Sequence, residues 1–157
     1  MKALEKVSSS VNRLVEYVLF GMGFGMAVVV AAQVFSRYVL NHSIFWSEEL
    51  ARFLLVWLTF LGAGVVYRRG GHASLEIFYV LFPLKIQKIT SIIIHLVAFI
   101  FFVVIIIYGW RFAYFVRLQI SPALSLPKWI PHGIMPVSGA ILALHALNFF
   151  FKDLRKL

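Results

Sequence analysis

The 157-residue chain is 62% hydrophobic and 13% charged, with a mean hydropathy of +0.92, where soluble domains average about 45–50% apolar and about 25% charged residues; it reads as an all-α membrane protein. Its net charge of +9 falls between long uncharged runs, where basic residues concern topology and anionic lipid, so nucleic acid is excluded as a partner. The absence of cysteine excludes disulfides, thiolate metal sites, iron–sulfur clusters and cysteine nucleophiles.

Leu4, Val7, Val11, Leu14 and Val18 recur at helical spacing, with Lys2, Lys6, Ser9 and Arg13 on the other side of the wheel. This pattern predicts an N-terminal amphipathic helix on the membrane surface, continuous with or hinged to the first span. That span covers about 15–36. Its uncharged run, Tyr17 to Ser36, outlasts the roughly 7–15 residues of a signal-peptide core, so a retained helix is favoured over a cleaved leader. Gly21 and Gly25 form a GxxxG that permits close helix approach.

The second span covers about 47–68. Its uncharged core, Phe53 to Tyr67, reaches only about 22 Å across a hydrocarbon layer of about 30 Å. A spanning helix must therefore start near Ser47 and take in Glu48, Glu49 and Arg52. After Gly70-Gly71, the shared face of Leu75, Phe78, Tyr79, Phe82 and Ile86 predicts a short interfacial helix, limited by Pro83. The third span, about 86–111, is bulky nearly all round and should face lipid widely. The fourth, about 129–151, carries a small-residue face of Gly139, Ala143 and Ala146, with Pro131 and Pro136 suited to its first turn and a kink. These four spans form a bundle and a single integral membrane domain over 1–157. Ten of the fifteen basic residues lie on the side of the two termini, which places both in the cytoplasm.

The richest stretch runs from Arg37 to Arg52. Ser47 is a plausible N-cap, and Glu48 and Glu49 occupy the first turn, where the helix dipole favours carboxylates. Glu48 and Arg52 are spaced for an i,i+4 pair. Glu49, about 100° away on the wheel, then needs another cation, from Arg37 or from a partner subunit. Glu48, Arg52, Thr59, Gly62 and Ala63 share one sector of the second helix and should meet protein; Trp46, Phe53, Trp57, Phe60 and Gly64 share the opposite one, facing lipid or a larger partner. The bland alternative for the charged residues is capping plus an interfacial ion pair.

His95 and His145 each lie about 10 Å inside the membrane boundary nearer the termini. A level pair of histidines in a four-helix bundle can ligate haem, which makes a bis-histidine electron carrier one rival function. Ordinary hydrogen bonding, His95 to Ser91 and His145 near Asn148 or to another helix, is the preferred reading, and no cofactor or metal is expected. The inner parts of the spans hold no carboxylate, and no nucleophile–base pair, phosphate loop or metal-spaced cluster stands out, so the chain does not read as an enzyme. Four spans are too few for two inverted repeats around a midplane site. An accessory or scaffold subunit is favoured over a second rival, a self-contained oligomeric channel or exporter.

Arg37-Tyr38-Val39-Leu40-Asn41, Trp46-Ser47-Glu48-Glu49-Leu50-Ala51-Arg52, Leu58-Thr59-Phe60-Leu61-Gly62-Ala63 and Arg68-Arg69-Gly70 resemble the signature of the small, Q-type membrane subunit of TRAP (tripartite ATP-independent periplasmic) transporters. Ser121-Pro122-Ala123-Leu124, Leu126-Pro127, Trp129 and Pro136 are a supporting match. His72 follows the double arginine as it often does in that family, but the acidic residue common soon afterwards stands here only as Glu76 in an apolar setting. The resemblance implies a bacterial inner-membrane, sodium-driven secondary transporter for organic acids. In it a large membrane subunit holds substrate and sodium, and a periplasmic substrate-binding protein delivers the substrate. The small subunit is a scaffold holding neither ligand. On this reading Arg37, Trp46, Glu48, Glu49, Arg52, Trp57 and Thr59 organise the subunit interface or the outer end of the bundle. The outer loops, with Asn41, His42 and Ser43 in one and Arg117, Gln119 and Ser121 in the other, meet the binding protein.

Overall fold

The structure, a computed structural model, describes residues 2–69 and 84–155, with side chains for 4–69 and 86–155. Its helices are α1 (Lys2–Tyr38), α2 (Ser47–Arg68), α3 (Leu84–Phe115), the four-residue α4 (Trp129–His132) and α5 (Ile134–Leu154). Four stretches are long and apolar enough to cross a membrane: Leu4–Tyr38, Ser47–Arg68, Ile86–Phe115 and Trp129–Leu154. The interfacial helix expected between the second and third spans lies outside the described residues, as do His72 and Glu76. Among the described residues the β pairing is limited to an isolated bridge between Ile120 and Pro127.

The amphipathic lead-in and the first span form one helix of 37 residues, about 55 Å long at 1.5 Å per residue. No breaker interrupts it. Its inward positions in the first turns are Ser8, Asn12 and Val15, all buried, while Val7, Leu14 and Val18 point outward. The docking face is therefore mixed, Ser8 and Asn12 beside Val11 and Val15, while Lys6, Ser9 and Arg13 stay exposed.

The helices alternate in direction. Polar contacts join the C-terminal end of α1, the N-terminal end of α2 and the loop 116–128 at one end, called here the loop end. Others join the start of α1, the ends of α2 and α5 and the first turns of α3 at the opposite, terminal end. Helix α5 packs against all three other long helices. It is correspondingly the most enclosed, with 39% of its apolar window buried against 6% for α1 and α3.

The reason is side-chain size. A methyl group on Gly139 would come within 2.9 Å of Ile106 and 3.2 Å of Ile105, and one on Gly109 within 2.8 Å of Met135. Both glycines let α3 and α5 approach backbone to backbone, the usual device where lipid offers no hydrophobic drive for helix association. Ala143 and Ala146 extend the α5 surface inward, packing with Tyr67, Phe102 and Leu142. A second cluster joins Val15, Leu61, Val65 and Ile134 between α1, α2 and α5. The fourth span is broken at Gly133, between its two prolines, dividing α4 from α5. In contrast, Gly21, Gly25 and Gly62 have no described residue beyond their own helical turn within 4 Å of a would-be Cβ.

Candidate functional site

At the loop end, Gln33 and Ser36 of α1 hold the first connection. Gln33 Oε1 accepts from the Ser47 hydroxyl at 2.5 Å and from the Ile44 backbone N–H at 3.1 Å, while its Nε2 donates to Ser43 Oγ at 3.1 Å. Ser36 donates through Oγ to the His42 carbonyl at 2.5 Å, and its own carbonyl accepts from the His42 N–H at 3.0 Å. The chain reverses between them at Asn41, in the left-handed region (φ 53°), a conformation asparagine tolerates better than most residues. Asn41, His42 and Ser43 remain exposed on this clamped turn.

The expected capping role of Ser47 is not what forms. Trp46 is the N-cap and makes no side-chain cap bond; Ser47 is the first helical residue, 2% exposed, and its hydroxyl is taken by Gln33 and the Ile44 carbonyl. The charged residues also pair differently from the i,i+4 expectation. Glu48 reaches across to Arg37 at 3.6 Å, with both side chains more than half exposed. An ion pair so open to its surroundings holds the two helices weakly. Arg52 is exposed and has no ion-pair partner among the described residues.

Glu49 has no cation within ion-pair distance among the described residues. Its Oε2 accepts the backbone N–H groups of Ala123 and Leu124 at 2.8 and 3.0 Å, which fastens the loop 116–128 onto the first turn of α2. Ser121, 2% exposed, completes the knot: its N–H donates to the Leu126 carbonyl, its carbonyl accepts from the Ser125 N–H, and its Oγ accepts from the Leu126 N–H. Ser125 is thereby held at φ 53°, a strained conformation that persists only where neighbouring contacts over-determine it. Buried inside the turn, Ser121 has no surface with which to contact a partner. Arg117 and Gln119 are exposed; the Arg117 guanidinium lies 3.7 Å over the Tyr114 ring, and Gln119 is paired with Lys128.

The two faces of α2 are used in the reverse of the expected sense within this chain. Trp57 and Phe60 pack with the Val15–Leu61–Val65–Ile134 cluster, and Trp57 Nε1 donates to the Pro131 carbonyl at 3.1 Å, beside the break between α4 and α5. Thr59 is exposed and bonds only its own helix, at the Leu55 carbonyl. Arg52, Thr59 and Ala63 all face outward and Gly62 is open.

At the terminal end the two histidines belong to separate networks. His145, fully buried, hydrogen-bonds through Nδ1 to Ser8 Oγ at 2.8 Å, and Arg68 also donates to Ser8. His95 Nδ1 pairs with the Tyr67 hydroxyl at 2.8 Å, its Nε2 lies 3.5 Å from Asp153 Oδ2, and Ser91 donates to that same carboxylate. His145 thus finds its partner on another helix, one of the two options its sequence setting offered, whereas His95 pairs with Tyr67 and Asp153 rather than with Ser91. The two rings are engaged on different helices, His145 with Ser8 of α1 and His95 with Tyr67 of α2 and Asp153 of α5. Glu16 adds a further tie, accepting from Arg69 at 2.8 Å and from Asn12 at 2.9 Å.

Sequence reading missed Gln33, Ser36, Ser8, Tyr67 and Asp153. The available signal was polarity out of place: Gln33 lies among apolar neighbours, and a polar group in a membrane helix turns inward to find a partner.

Four long apolar helices, joined by polar ties at both ends, define a multi-pass membrane protein. A family model for the DctQ component of tripartite ATP-independent periplasmic transporters matches residues 26–156. The chain belongs to that family and is a TRAP transporter small permease subunit of the inner membrane. It is 24% identical over its whole length to the sialic acid TRAP transporter small permease protein SiaQ of Vibrio cholerae, covering 89% of that protein. It is 27% identical to the ectoine TRAP transporter small permease protein TeaB of Halomonas elongata, across 82% of this chain and 68% of the relative. With the isethionate TRAP transporter permease protein DctMQ of Oleidesulfovibrio alaskensis it shares 30% identity over 66% of its own length but only 16% of the relative's. The match to the sialic acid permease SiaT of Haemophilus influenzae also spans 16% of that longer protein.

Proposed function

We propose that this chain is the non-catalytic scaffold of a sodium-driven transporter for organic acids. It docks against a large membrane subunit and presents its loop end to a periplasmic substrate-binding protein. The observation that carries the docking role is the open stripe on α2. Arg52, Thr59, Gly62 and Ala63 line one side of a membrane helix with nothing of their own chain over them, and small or polar residues in such a helix suit a protein neighbour better than lipid. The open Gly21 and Gly25 notch of α1 offers a second close-approach surface. Matches covering a small fraction of much longer permeases support the same reading, because there a related segment is part of one chain with additional sequence.

Orientation follows from the charge distribution. With ten of fifteen basic residues toward the termini, the terminal end faces the cytoplasm and the loop end the periplasm. The two clamped turns then present Asn41, His42, Ser43, Arg117 and Gln119 outward on a fixed frame. Names of relatives that mention sialic acid, ectoine and C4-dicarboxylate support organic solutes as the cargo class. The test is co-expression with a large TRAP membrane subunit. Wild-type chain co-purifies with that subunit and supports sodium-dependent uptake, whereas Arg52→Glu loses both. Normal complex yield with normal uptake in Arg52→Glu would overturn the role of the stripe.

A further inference from the structure

On the side of the bundle carrying Trp57, near the loop end, a groove of about 760 Å³ opens between the last turns of α3 and the α4–α5 break. Its origin is in the backbone: Gly109 brings α3 hard against Pro136, and beyond that point the break at Gly133 lets the two segments diverge. Small residues, Ala113, Gly133 and Ala140, form part of its lining, and Trp57, Trp110, Tyr114 and Trp129 supply the large aromatic surfaces. Three of the four tryptophans in the chain thus face one groove. Trp110, Tyr114 and Trp129 are more than half exposed, the placement of aromatic rings at the headgroup level of a bilayer.

The charge at its rim is one-sided. Arg117 lines the groove, and Arg111 lies with it in an adjoining depression. Residues 111–128 contain three basic and no acidic side chains. Among the described residues neither arginine has a carboxylate within ion-pair distance. We infer that this groove binds an anionic phospholipid, one acyl chain lying along the tryptophans and the phosphate at Arg117. A volume within the range of about 300–1,000 Å³ that encloses a small ligand suits a chain rather than a whole helix. Moving that chain from bilayer to groove exchanges one apolar setting for another, so selectivity rests with the headgroup and the arginines.

Brominated acyl chains quench tryptophan on contact, which makes the groove its own reporter. The full-length chain is reconstituted into phosphatidylcholine vesicles containing, at equal mole fraction, brominated phosphatidylglycerol or brominated phosphatidylcholine. Lipid at the groove is expected to favour phosphatidylglycerol about fivefold, the equilibrium equivalent of one basic residue meeting an anionic headgroup. Arg117→Gln should abolish that preference while leaving quenching by both lipids, and Ala140→Phe, at an exposed position on the groove, should reduce quenching by both. The wild-type comparison needs no variant and is decisive alone. Equal quenching by the two lipids overturns the inference, as does a preference that survives Arg117→Gln. Absence of quenching by either lipid, the outcome if a second copy or another protein fills the groove, overturns it too.

Discussion

Gln33 and Glu49 do the same work at neighbouring points: each uses a side-chain oxygen to satisfy groups in a connection that has no helix of its own. Gln33 is buried, and its oxygen serves two donors at once. Gln33→Leu keeps the volume but strands the Ile44 N–H and leaves the Ser47 hydroxyl only the Ile44 carbonyl, and a buried unsatisfied group costs about 1–3 kcal/mol. Denaturation in mixed detergent micelles should show a loss of that order; a neutral result would contradict the clamp. Glu49 holds backbone amides, so its loss should be local. Hydrogen exchange at Ala123 and Leu124 is expected to accelerate in Glu49→Ala and less so in Glu49→Gln, which retains an acceptor. Unchanged exchange would mean that the loop is held by Ser121 alone. Such links were hard to read in advance because a backbone amide is present at every residue except proline. Glu49 signalled a need for a partner, and nothing in the residue types of Ala123 or Leu124 identified them as the answer.

Among the helices, the α3–α5 seam and the outer surface of α1 give opposite meanings to glycine. At Gly109 a Cβ would meet the Met135 Cβ and the Pro136 backbone, which cannot swing aside as a flexible side-chain tip can. Gly109→Ala should therefore separate the helices and cost about 1–3 kcal/mol, the usual range for overpacking. A Cβ on Gly25 meets no described residue of this chain, so in Gly25→Ala the isolated subunit should be at least as stable as wild type, while the yield of complex with its large partner falls. Thermal denaturation of the isolated subunit and co-purification separate the two effects. The number of long helices, the start of α2 at Ser47 and the small face of α5 were legible because hydropathy and residue size state them directly. The use of each face was not. Trp57 and Phe60 look equally suited to lipid or to a core until Pro131 supplies an acceptor for the indole.

For the molecule as a whole, burial is uneven in a way that fits a subunit. Helix α5 is enclosed by its own chain, whereas α1 and α3 bury little, and Gly21 and Gly25 of α1 and Gly62 and Ala63 of α2 are left open among the described residues. The terminal-end ties, Ser8 with His145 and Glu16 with Arg69, hold α1 onto a bundle it otherwise covers thinly. Interhelical hydrogen bonds in membranes average about 0.6 kcal/mol and reach about 1.7, so Ser8→Ala should loosen α1 within that range without unfolding the α3–α5 pair. The central claim is that the uncovered stripe of α2 is covered by the large membrane subunit. Photo-crosslinking in native membranes tests it most directly, with a benzophenone side chain at Thr59 or Ala63 and a control at Val137 beside the lipid groove. Adducts with the large subunit from Thr59 and Ala63, and none from Val137, are the expected result. Adducts confined to lipid at Thr59 and Ala63 would contradict the account.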